Sequence, residues 1–457
     1  MRAQPVNIAG AGLAGALLAV LLGRRGIAVN LIERRPDPRT HPAEAGRSIN
    51  LALAARGIRA LEQAGLMRQV RPLLLPMRGR MIHEPHATTA PHLLPYGQRD
   101  EEVIYSVGRA ALNRVLIEAA AALPQVQLRF ATTCIGVQVA SGELQVSDRG
   151  GTASRLAAAA TIAADGAGSA LRAVLAGTGQ MSVREEPLEH GYKELHIAAR
   201  DGGYALEPAA LHVWPRHGFM LIALPNPDRS FTATLFLAHH GRPGFDSLRS
   251  DRAVEEFFAR EFASAAPLIP DLPRQFREHP QGSLGTIHAA PWACGRVLLV
   301  GDAAHAIVPF HGQGMNAAFE DCVLLDAMLE GATGEPDWPA LFARFDEARR
   351  ADAEAIAEMA LENYAEMRSS VLDERFLRHK AWALQLERLH PGRFIPRYAM
   401  VMFHPQIPYA QAQRRGVLQQ GILDQLEAER DKRGAAGAAL LEASELARAA
   451  QLIRERL

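Results

Sequence analysis

The stretch that decides the fold is VNIAGAGLAGALLAVLLGRRGIAVNLIE, from Val6 to Glu33. It begins with a short apolar run, passes through a glycine-rich turn into an apolar segment of helical length, and ends in a second apolar run. This order predicts a strand, a helix and a second strand, and strands joined by a crossover helix lie parallel. The sequence therefore predicts a βαβ unit that opens a Rossmann-like domain.

The turn inside this unit, GAGLAG, contains Gly10, Gly12 and Gly15. In a turn of this spacing the first glycine permits the tight turn, the second lets the backbone approach a pyrophosphate, and the third allows close packing of the helix. The helix N-terminus stabilises the phosphate charge. Glu33 lies at the distance where an acidic side chain accepts hydrogen bonds from ribose hydroxyls. We predict a dinucleotide site, although this motif alone does not separate NAD from FAD.

A second glycine-rich stretch, GDAAHAIVPFHGQGMNAAFED, covers residues 301–321 and follows the strand-like run RVLLV. Asp302 is placed to bind a ribityl chain, while Gly312 and Gly314 open a helix whose amides can face a flavin ring and stabilise negative charge there. A dinucleotide held at both ends explains this second motif, so it favours FAD. Asp302 and His305 are also candidate metal ligands, but no further ligand set accompanies them and we predict no metal.

A third motif, DGAGSALR at residues 165–172, again follows an apolar strand. By itself it could be only a turn before a capped helix. Together, the three motifs in this order resemble the class A flavin monooxygenases, which share the para-hydroxybenzoate hydroxylase fold. In that family the Asp-Gly element lies where FAD and NADPH are both handled, and there is no separate NADPH domain. The sequence agrees, because it contains no second GxGxxG unit, and it also lacks the redox cysteine pair of disulfide reductases.

The resemblance implies a non-covalent FAD, since no flavin-linking motif is recognisable, with NADPH as a transient co-substrate. One departure from the family pattern is Gly108, where a serine is expected before the FAD-contacting arginine. The cofactor-binding residues that the motifs and the resemblance indicate are Gly10, Gly12, Leu13, Ala14, Gly15, Glu33, Arg34, Arg109, Asp165, Gly166, Asp302, Gly312, Gly314, Met315 and Asn316.

Five further strings narrow the resemblance to the kynurenine 3-monooxygenase family, from residue 1 to about residue 410. They are GRSINLAL (46–53), VIYSVGRAALN (103–113), EHGYKEL (189–195), LHVWPR (211–216) and FMLIALPN (219–226). The resemblance implies that reduced FAD reacts with O2 to a flavin hydroperoxide, which converts L-kynurenine into 3-hydroxykynurenine in tryptophan degradation. Two alternatives stay open: a class A hydroxylase of another aromatic, such as a phenolic acid, and a flavoprotein that binds without hydroxylating.

The family's substrate site falls on Arg80, Tyr96, Asn363 and Tyr398. An amino-acid substrate has a carboxylate that a guanidinium binds well, and tyrosine hydroxyls and an amide suit the polar α-carbon. Without the resemblance, a surface arginine and a core tyrosine would be the simpler interpretation. We expect the apolar pocket for the substrate ring to be formed by Leu211, Ile222, Leu224, Phe236, Pro309, Phe310, His311 and Met367.

Composition excludes several classes of protein. The 457 residues include 50 Lys plus Arg and 50 Asp plus Glu, so the basic excess of a nucleic-acid surface is missing. The three cysteines form no CxxC, which argues against disulfide frameworks and thiolate zinc sites and favours a reducing cytosol. Eukaryotic members of the family carry a membrane-anchoring segment that we do not find, so we expect a soluble, cytoplasmic, bacterial form. A homodimer stays open.

The predicted fold class is α/β: a discontinuous Rossmann-like FAD-binding domain, an inserted substrate domain with a mainly antiparallel β-sheet, and a C-terminal helical region. The β-branched and apolar content between Leu211 and Leu237 indicates the antiparallel strands. We assign the FAD-binding domain to residues 1–70, 101–178 and 280–350. The substrate domain takes 71–100 and 179–279, and the helical region takes 351–457.

Overall fold

The computed structural model of the protein describes residues 4–41, 50–85, 90–331, 334–368, 373–433 and 440–457. The first part of the string GRSINLAL, with Gly46, Arg47 and Ser48, lies outside these residues. The strands in chain order are β1 (Val6–Ala9), β2 (Val29–Ile32), β3 (Asn50–Leu53), β4 (Leu75–Met77), β5 (Gly79–Ile82), β6 (His92–Pro95), β7 (Ile104–Gly108), β8 (Val126–Arg129), β9 (Thr133–Val137), β10 (Leu144–Ser147), β11 (Ala153–Leu156), β12 (Ala160–Ala163), β13 (Ser182–Ile197), β14 (Leu211–Pro215), β15 (Met220–Pro225), β16 (Phe231–Ala238), β17 (Gln281–Ala290), β18 (Ala293–Cys294) and β19 (Val297–Leu299).

Helices follow the apolar periodicity of the sequence and dominate its last third. In chain order they are α1 (Leu13–Arg24), α2 (Ala55–Gln63), α3 (Met67–Val70), α4 (Arg109–Ala121), α5 (Ala170–Gly177), α6 (Asp251–Glu261), α7 (Leu272–Glu278), α8 (Asp302–His305), α9 (Gly314–Met328), α10 (Trp338–Arg368), α11 (Glu374–Leu389), α12 (Arg397–Phe403), α13 (Tyr409–Lys432) and α14 (Ala443–Arg456).

The first layer is a six-stranded sheet in the order β18-β19-β12-β1-β2-β8. Its pairs are parallel except for the β18–β19 hairpin, and β1 and β2 are buried along their whole length, as strands covered on both faces are. Strands from three separate parts of the chain meet here. The predicted parallel sheet at the start of the chain is therefore confirmed, and α1 packs against α4 and α9 beside it.

A seven-stranded sheet in the order β17-β13-β16-β15-β14-β5-β6 forms the second layer. Its neighbours are antiparallel except β14 and β5, where Leu211 pairs with Arg80 in parallel. One face packs on α6 and α7 through Trp214, Phe231 and Phe258, and the other faces α10. The predicted antiparallel sheet is confirmed. The strand β17 pairs with β13 along this sheet. We therefore propose that the substrate domain extends to about residue 290 rather than ending at residue 279.

The C-terminal helices close the structure over both sheets. The 31 residues of α10 span about 46 Å and run from the cofactor layer to the face of the second sheet. Beyond it, Trp382 on α11 and Ile422 on α13 belong to a separate apolar cluster. None of the helices in the described part of the chain is long and apolar enough to cross a membrane.

Candidate active site

The glycine turn after β1 shows which of its glycines the fold requires. A Cβ on Gly15 would lie 1.9 Å from the carbonyl oxygen of Gly10, and one on Gly10, whose φ is +95°, would lie 2.5 Å from the carbonyl oxygen of Ala164. A Cβ on Gly12 would meet no atom within 4 Å. The fold therefore leaves no room for a side chain at Gly10 and Gly15. Gly12 instead borders open space at the N-terminus of α1.

The acidic residue at the end of β2 is buried and held in place. One carboxylate oxygen of Glu33 accepts the N–H of Ala11 at 3.0 Å, and the other accepts the N–H of Arg35 at 2.9 Å. Burial would raise the pKa of Glu33, but its hydrogen bonds and charge contact with Arg35 lower it overall. Glu33 therefore stays ionised beside the glycine turn, while the predicted cofactor residue Arg34 is exposed.

The second motif forms a loop between β19 and α9. Gly301 has a φ of +57° and its α-carbon lies against Ala14 of the first motif, so that an added Cβ would be 3.5 Å from the Cβ of Ala14. Asp302, half-buried, starts the short helix α8. Gly312 has a φ of +66°, and Gly314 begins α9 with no side-chain cap on its amides. The bare N–H groups at this end of α9 suit a ring that accumulates negative charge.

The two predicted cofactor residues that follow Gly314 are Met315 and Asn316, and both are buried. The side chain of Asn316 is fully used by the protein. Its amide nitrogen donates to the carbonyls of Ala52 at 2.9 Å and Gly312 at 2.8 Å, and its oxygen accepts the N–H of Ala54 at 3.0 Å. Asn316 ties β3 to the second motif, so any contact with FAD would come from its backbone.

The third motif lies against the first. Asp165 follows β12, and a Cβ on Gly10 would be 2.8 Å from its α-carbon. One carboxylate oxygen of Asp165 accepts the N–H of Leu171 at 3.3 Å, while the other is buried and finds no partner in the described part of the chain. The adjacent Gly166 has a φ of +83°, and Arg109 is exposed at the start of α4. The unpaired oxygen fits a site for a hydrogen-bonding ligand.

The three motifs thus converge around one space, with an open backbone at Gly12, an unpaired carboxylate oxygen at Asp165 and uncapped amides at Gly314. These features fit an extended dinucleotide. No cluster of metal-ligating side chains occurs within the described ranges, and His305 pairs with Asp321 rather than with Asp302.

We expect the purified protein to be yellow and to release all of its flavin on denaturation. Every feature that fits the cofactor is an amide, a glycine or a carboxylate, and none of these forms a covalent bond to a flavin ring. Acid precipitation followed by the visible spectrum of the supernatant would show it. Yellow colour that stays with the pellet, or a released nucleotide other than FAD, would contradict the assignment of the glycine motifs.

Arg80 lies at the centre of the predicted substrate site, on β5, and only 4% of it is exposed. Its Nη1 donates to Glu366 Oε1 at 2.8 Å and its Nη2 to Asn363 Oδ1 at 3.3 Å, while the buried Nε has no partner among the described residues. Burial disfavours its charge, but Tyr398, Glu366 and Tyr96 raise the pKa of the guanidinium overall. Arg80 is therefore a buried cation with an unused donor, which is what an incoming carboxylate needs.

The two predicted tyrosines lie together beside this cation. The rings of Tyr96 and Tyr398 are stacked, with centroids 5.7 Å apart, and the Cζ atom of Arg80 lies 6.0 Å and 5.1 Å from the respective ring centroids. Burial raises the pKa of both hydroxyls, so they remain protonated donors at neutral pH. A carboxylate beside Arg80 would be within reach of neutral hydroxyl groups as well as the guanidinium.

Asn363 connects the substrate side to the cofactor side. Its amide nitrogen donates to the carbonyl of Phe310 at 2.6 Å, and Phe310 lies in the loop that leads to Gly312 and α9. The Phe310 ring meets Phe236 of the second sheet with centroids 4.9 Å apart. The predicted polar and apolar parts of the substrate site therefore meet next to the predicted flavin loop.

Most of the remaining pocket residues gather around this junction. Phe236, Phe310 and Met367 share one buried cluster, Leu224 belongs to the cluster of Tyr96 and Tyr398, and Leu211 and Ile222 border both. His311 stacks on Tyr398 with centroids 5.2 Å apart, and burial lowers its pKa to about 3, so its ring is neutral. Pro309 is exposed, and only this member of the predicted set lies at the surface.

Three residues near the site were not predicted from sequence. Tyr364 stacks on Phe310 with centroids 3.9 Å apart, Glu366 binds Arg80, and Lys380 is a half-buried lysine whose pKa is lowered to about 7 by burial and by Arg80. Glu366 stands three residues after Asn363, on the same face of α10, and this spacing could have indicated it. Nothing in the sequence near Lys380 indicates its position.

Comparison with known proteins agrees with the geometry. The family model for an FAD binding domain matches residues 3–360. A kynurenine 3-monooxygenase from Myxococcus xanthus is 45% identical over all of this chain and 96% of that protein, and one from Xanthomonas campestris is 47% identical over 92% of this chain and 91% of its own. The structure of p-nitrophenol 4-monooxygenase from Pseudomonas putida superposes with a TM-score of 0.64 and 19% identity, covering 93% of this chain and 98% of that one. This last likeness shows the fold.

Proposed function

Because this chain belongs to the kynurenine 3-monooxygenase family, and is thereby an FAD-dependent monooxygenase, we propose that it converts L-kynurenine into 3-hydroxykynurenine. NADPH supplies the electrons and O2 the oxygen atom, in a step of tryptophan degradation. The observation that carries the proposal is the buried Arg80, whose Nε has no partner among the described residues and whose guanidinium lies beside the stacked rings of Tyr96 and Tyr398 in an apolar cluster. A phenolic substrate without a carboxylate would leave the Nε of Arg80 without an acceptor.

In this proposal the polar end of the substrate fixes its orientation. The Nε of Arg80 donates to the carboxylate of kynurenine, and the hydroxyls of Tyr96 and Tyr398 donate to the same group. The ring then lies among Phe236, Phe310 and Leu211, on the side where Asn363 contacts the flavin loop. The protein would bind the substrate at its charged end and surround the reacting ring with apolar side chains. The binding energy is then used to align the ring for the reaction.

When bound and reduced, FAD would activate O2, from which the transferred oxygen atom comes. The substrate's own aromatic amine already makes the adjacent ring carbon nucleophilic, so no strong protein base is needed. His311 agrees with this, because burial lowers its pKa to about 3 and makes it a weak base. The task of the protein is to orient the ring and to exclude water from the oxygen donor. We also propose a cytoplasmic location, where NADPH is available and Cys134, Cys294 and Cys322 remain free thiols.

We expect L-kynurenine to accelerate the reduction of bound flavin by NADPH, in addition to being the substrate. The sequence has a single GxGxxG motif, so we infer that NADPH and substrate act at the same flavin. The link from Arg80 through Asn363 to Phe310 gives bound substrate a route to the flavin loop. Stopped-flow reduction with and without L-kynurenine measures this effect. Equal rates would contradict the control mechanism, and stimulation by a phenol but not by kynurenine would favour the phenolic hydroxylase.

A further inference from the structure

Behind the loop that carries Asp302, three ionisable side chains are buried in the protein: Asp321 on α9, His305 at the end of α8 and Arg349 on α10. Nε2 of His305 lies 2.6 Å from Oδ2 of Asp321, and Nε of Arg349 donates to Oδ1 of Asp321 at 2.7 Å. Since a carboxylate can only accept, the histidine donates from Nε2. Neither substrate binding nor the proposed chemistry uses these groups.

The carboxylate of Asp321 holds both ends of α8. Its Oδ2, which accepts from His305, also accepts the backbone N–H of Gly301 at 2.9 Å. Asp302 lies between these two points. A four-residue helix has no stability of its own, because nucleating a helix costs more than one turn returns. The position of the Asp302 side chain therefore depends on this clamp.

The same carboxylate also fixes the distance between two cofactor elements. Asp321 is seven residues along α9 from Gly314, about 10 Å at 1.5 Å per residue. It thus joins the helix whose first turn faces the predicted flavin ring to the turn that carries Asp302. Arg349 completes the arrangement, since its Nη2 donates to the carbonyl of Ala317 on α9 at 3.2 Å.

The buried charges are compensated. Burial would raise the pKa of Asp321, but His305 and Arg349 lower it, to about 2, so the carboxylate is ionised at neutral pH. Arg349 has a further partner in Glu320 at 2.8 Å. Burying a carboxylate costs a large free energy unless the group is paired and hydrogen-bonded. Because Asp321 has these partners, its side chain is held in a single well-defined geometry.

We propose that the His305–Asp321 pair is a positioning device for FAD: it holds Asp302 at the distance from the start of α9 that the bound cofactor requires, while neither side chain touches the cofactor. The sequence raises His305 as a metal-ligand candidate together with Asp302, and the structure gives it a different role. Loss of the pair should weaken the binding of FAD without abolishing the binding of substrate.

The test compares His305→Gln with His305→Asn. A glutamine amide can place an N–H near the position of Nε2, whereas the shorter asparagine cannot reach Asp321. We expect His305→Asn to weaken FAD binding by about tenfold to 100-fold and to shift the visible spectrum of the bound flavin, with His305→Gln within about threefold of the wild type. Serial dilution of the purified holoenzyme, with released FAD read by fluorescence, gives the dissociation constant without any substrate, so its outcome is independent of the proposed reaction.

The matched control is His379→Asn. His379 is also buried, and its Nε2 lies 3.0 Å from Oε2 of Glu427, but this pair joins α11 and α13 among the C-terminal helices. We expect it to lower the melting temperature and to leave FAD affinity and spectrum unchanged. Should His305→Asn not fold, Asp321→Asn is measured instead, with the same expected weakening. The proposal is overturned if these variants change only the melting temperature, or if His305→Gln loses FAD as strongly as His305→Asn.

Discussion

Replacing Arg80 with alanine is expected to lower kcat/KM for L-kynurenine by about two to three decades. Arg80 is buried, and among the described residues its Nε has no hydrogen-bond acceptor. Each charge-assisted hydrogen bond contributes about 1.5 to 3 kcal/mol, and a desolvated charge left unpaired costs about 3 to 5 kcal/mol. At 1.36 kcal/mol per tenfold in rate, the loss of one such hydrogen bond accounts for about one to two decades, and the cost of leaving the substrate carboxylate unpaired brings the loss to about two to three decades. Glu366 would remain and repel the substrate carboxylate, which adds to the loss.

Two controls separate substrate binding from structural damage. Arg78→Ala removes an exposed arginine two residues away that pairs with the exposed Asp100, and it should leave kcat/KM unchanged. Kynurenamine, which lacks the carboxylate, should be a poor substrate of the wild type and should lose far less activity than kynurenine in Arg80→Ala. If Arg80→Ala impairs both compounds equally, or if it loses its flavin, then Arg80 does not bind the carboxylate and the proposed orientation is wrong.

The second large effect concerns Gly12→Val, which we expect to weaken FAD binding by about two to four decades without destabilising the cofactor-free fold. Gly12 has an extended backbone, with φ of −69° and ψ of −172°, that valine adopts readily, and its Cβ position faces open space. A side chain there would occupy the place of the pyrophosphate. The loss of two amide–phosphate hydrogen bonds, at about 1.5 to 3 kcal/mol each, gives the expected range at 1.4 kcal/mol per tenfold.

FAD content after purification and the melting temperature of the flavin-free protein measure the two parts of this prediction. Gly177→Val is the matched control, because Gly177 also has nothing within 4 Å of its Cβ position but lies exposed at the end of α5. It should keep its FAD. A yellow Gly12→Val protein with normal affinity would show that the pyrophosphate lies elsewhere, and a large loss of melting temperature would show that Gly12 serves the fold.

The features that could be predicted from sequence are those that depend on local backbone geometry. Gly10 and Gly15 are required because neighbouring backbone leaves no room for a Cβ, and such requirements leave a fixed spacing in the sequence. The antiparallel strands between residues 211 and 237 were predictable for a similar reason, since β-branched and apolar residues fill them. The resemblance to a family added the substrate residues, which no local pattern indicates.

Other features arise only when distant segments meet. Arg80 and Glu366 are 286 positions apart, and no property of either string indicates that the two bind each other. The parallel pairing of β14 with β5 is equally non-local. The strand β5 is also hard to recognise from sequence, because prolines, which are rare inside strands, lie on both sides of it. Asn316 shows the opposite case: its type suits a ligand contact, but four neighbouring backbone groups already occupy its side chain.

The measurement that tests the central claim most directly is product analysis after aerobic turnover of L-kynurenine with NADPH, with NADPH consumption, hydrogen peroxide and product quantified in one reaction. The account predicts 3-hydroxykynurenine in near-equal amount to the NADPH consumed, with an oxygen atom that comes from O2 when the labelled gas is used, and no hydroxylated product from a phenolic acid in a parallel reaction. NADPH consumption that yields only hydrogen peroxide from L-kynurenine, together with hydroxylation of the phenolic acid, would contradict it.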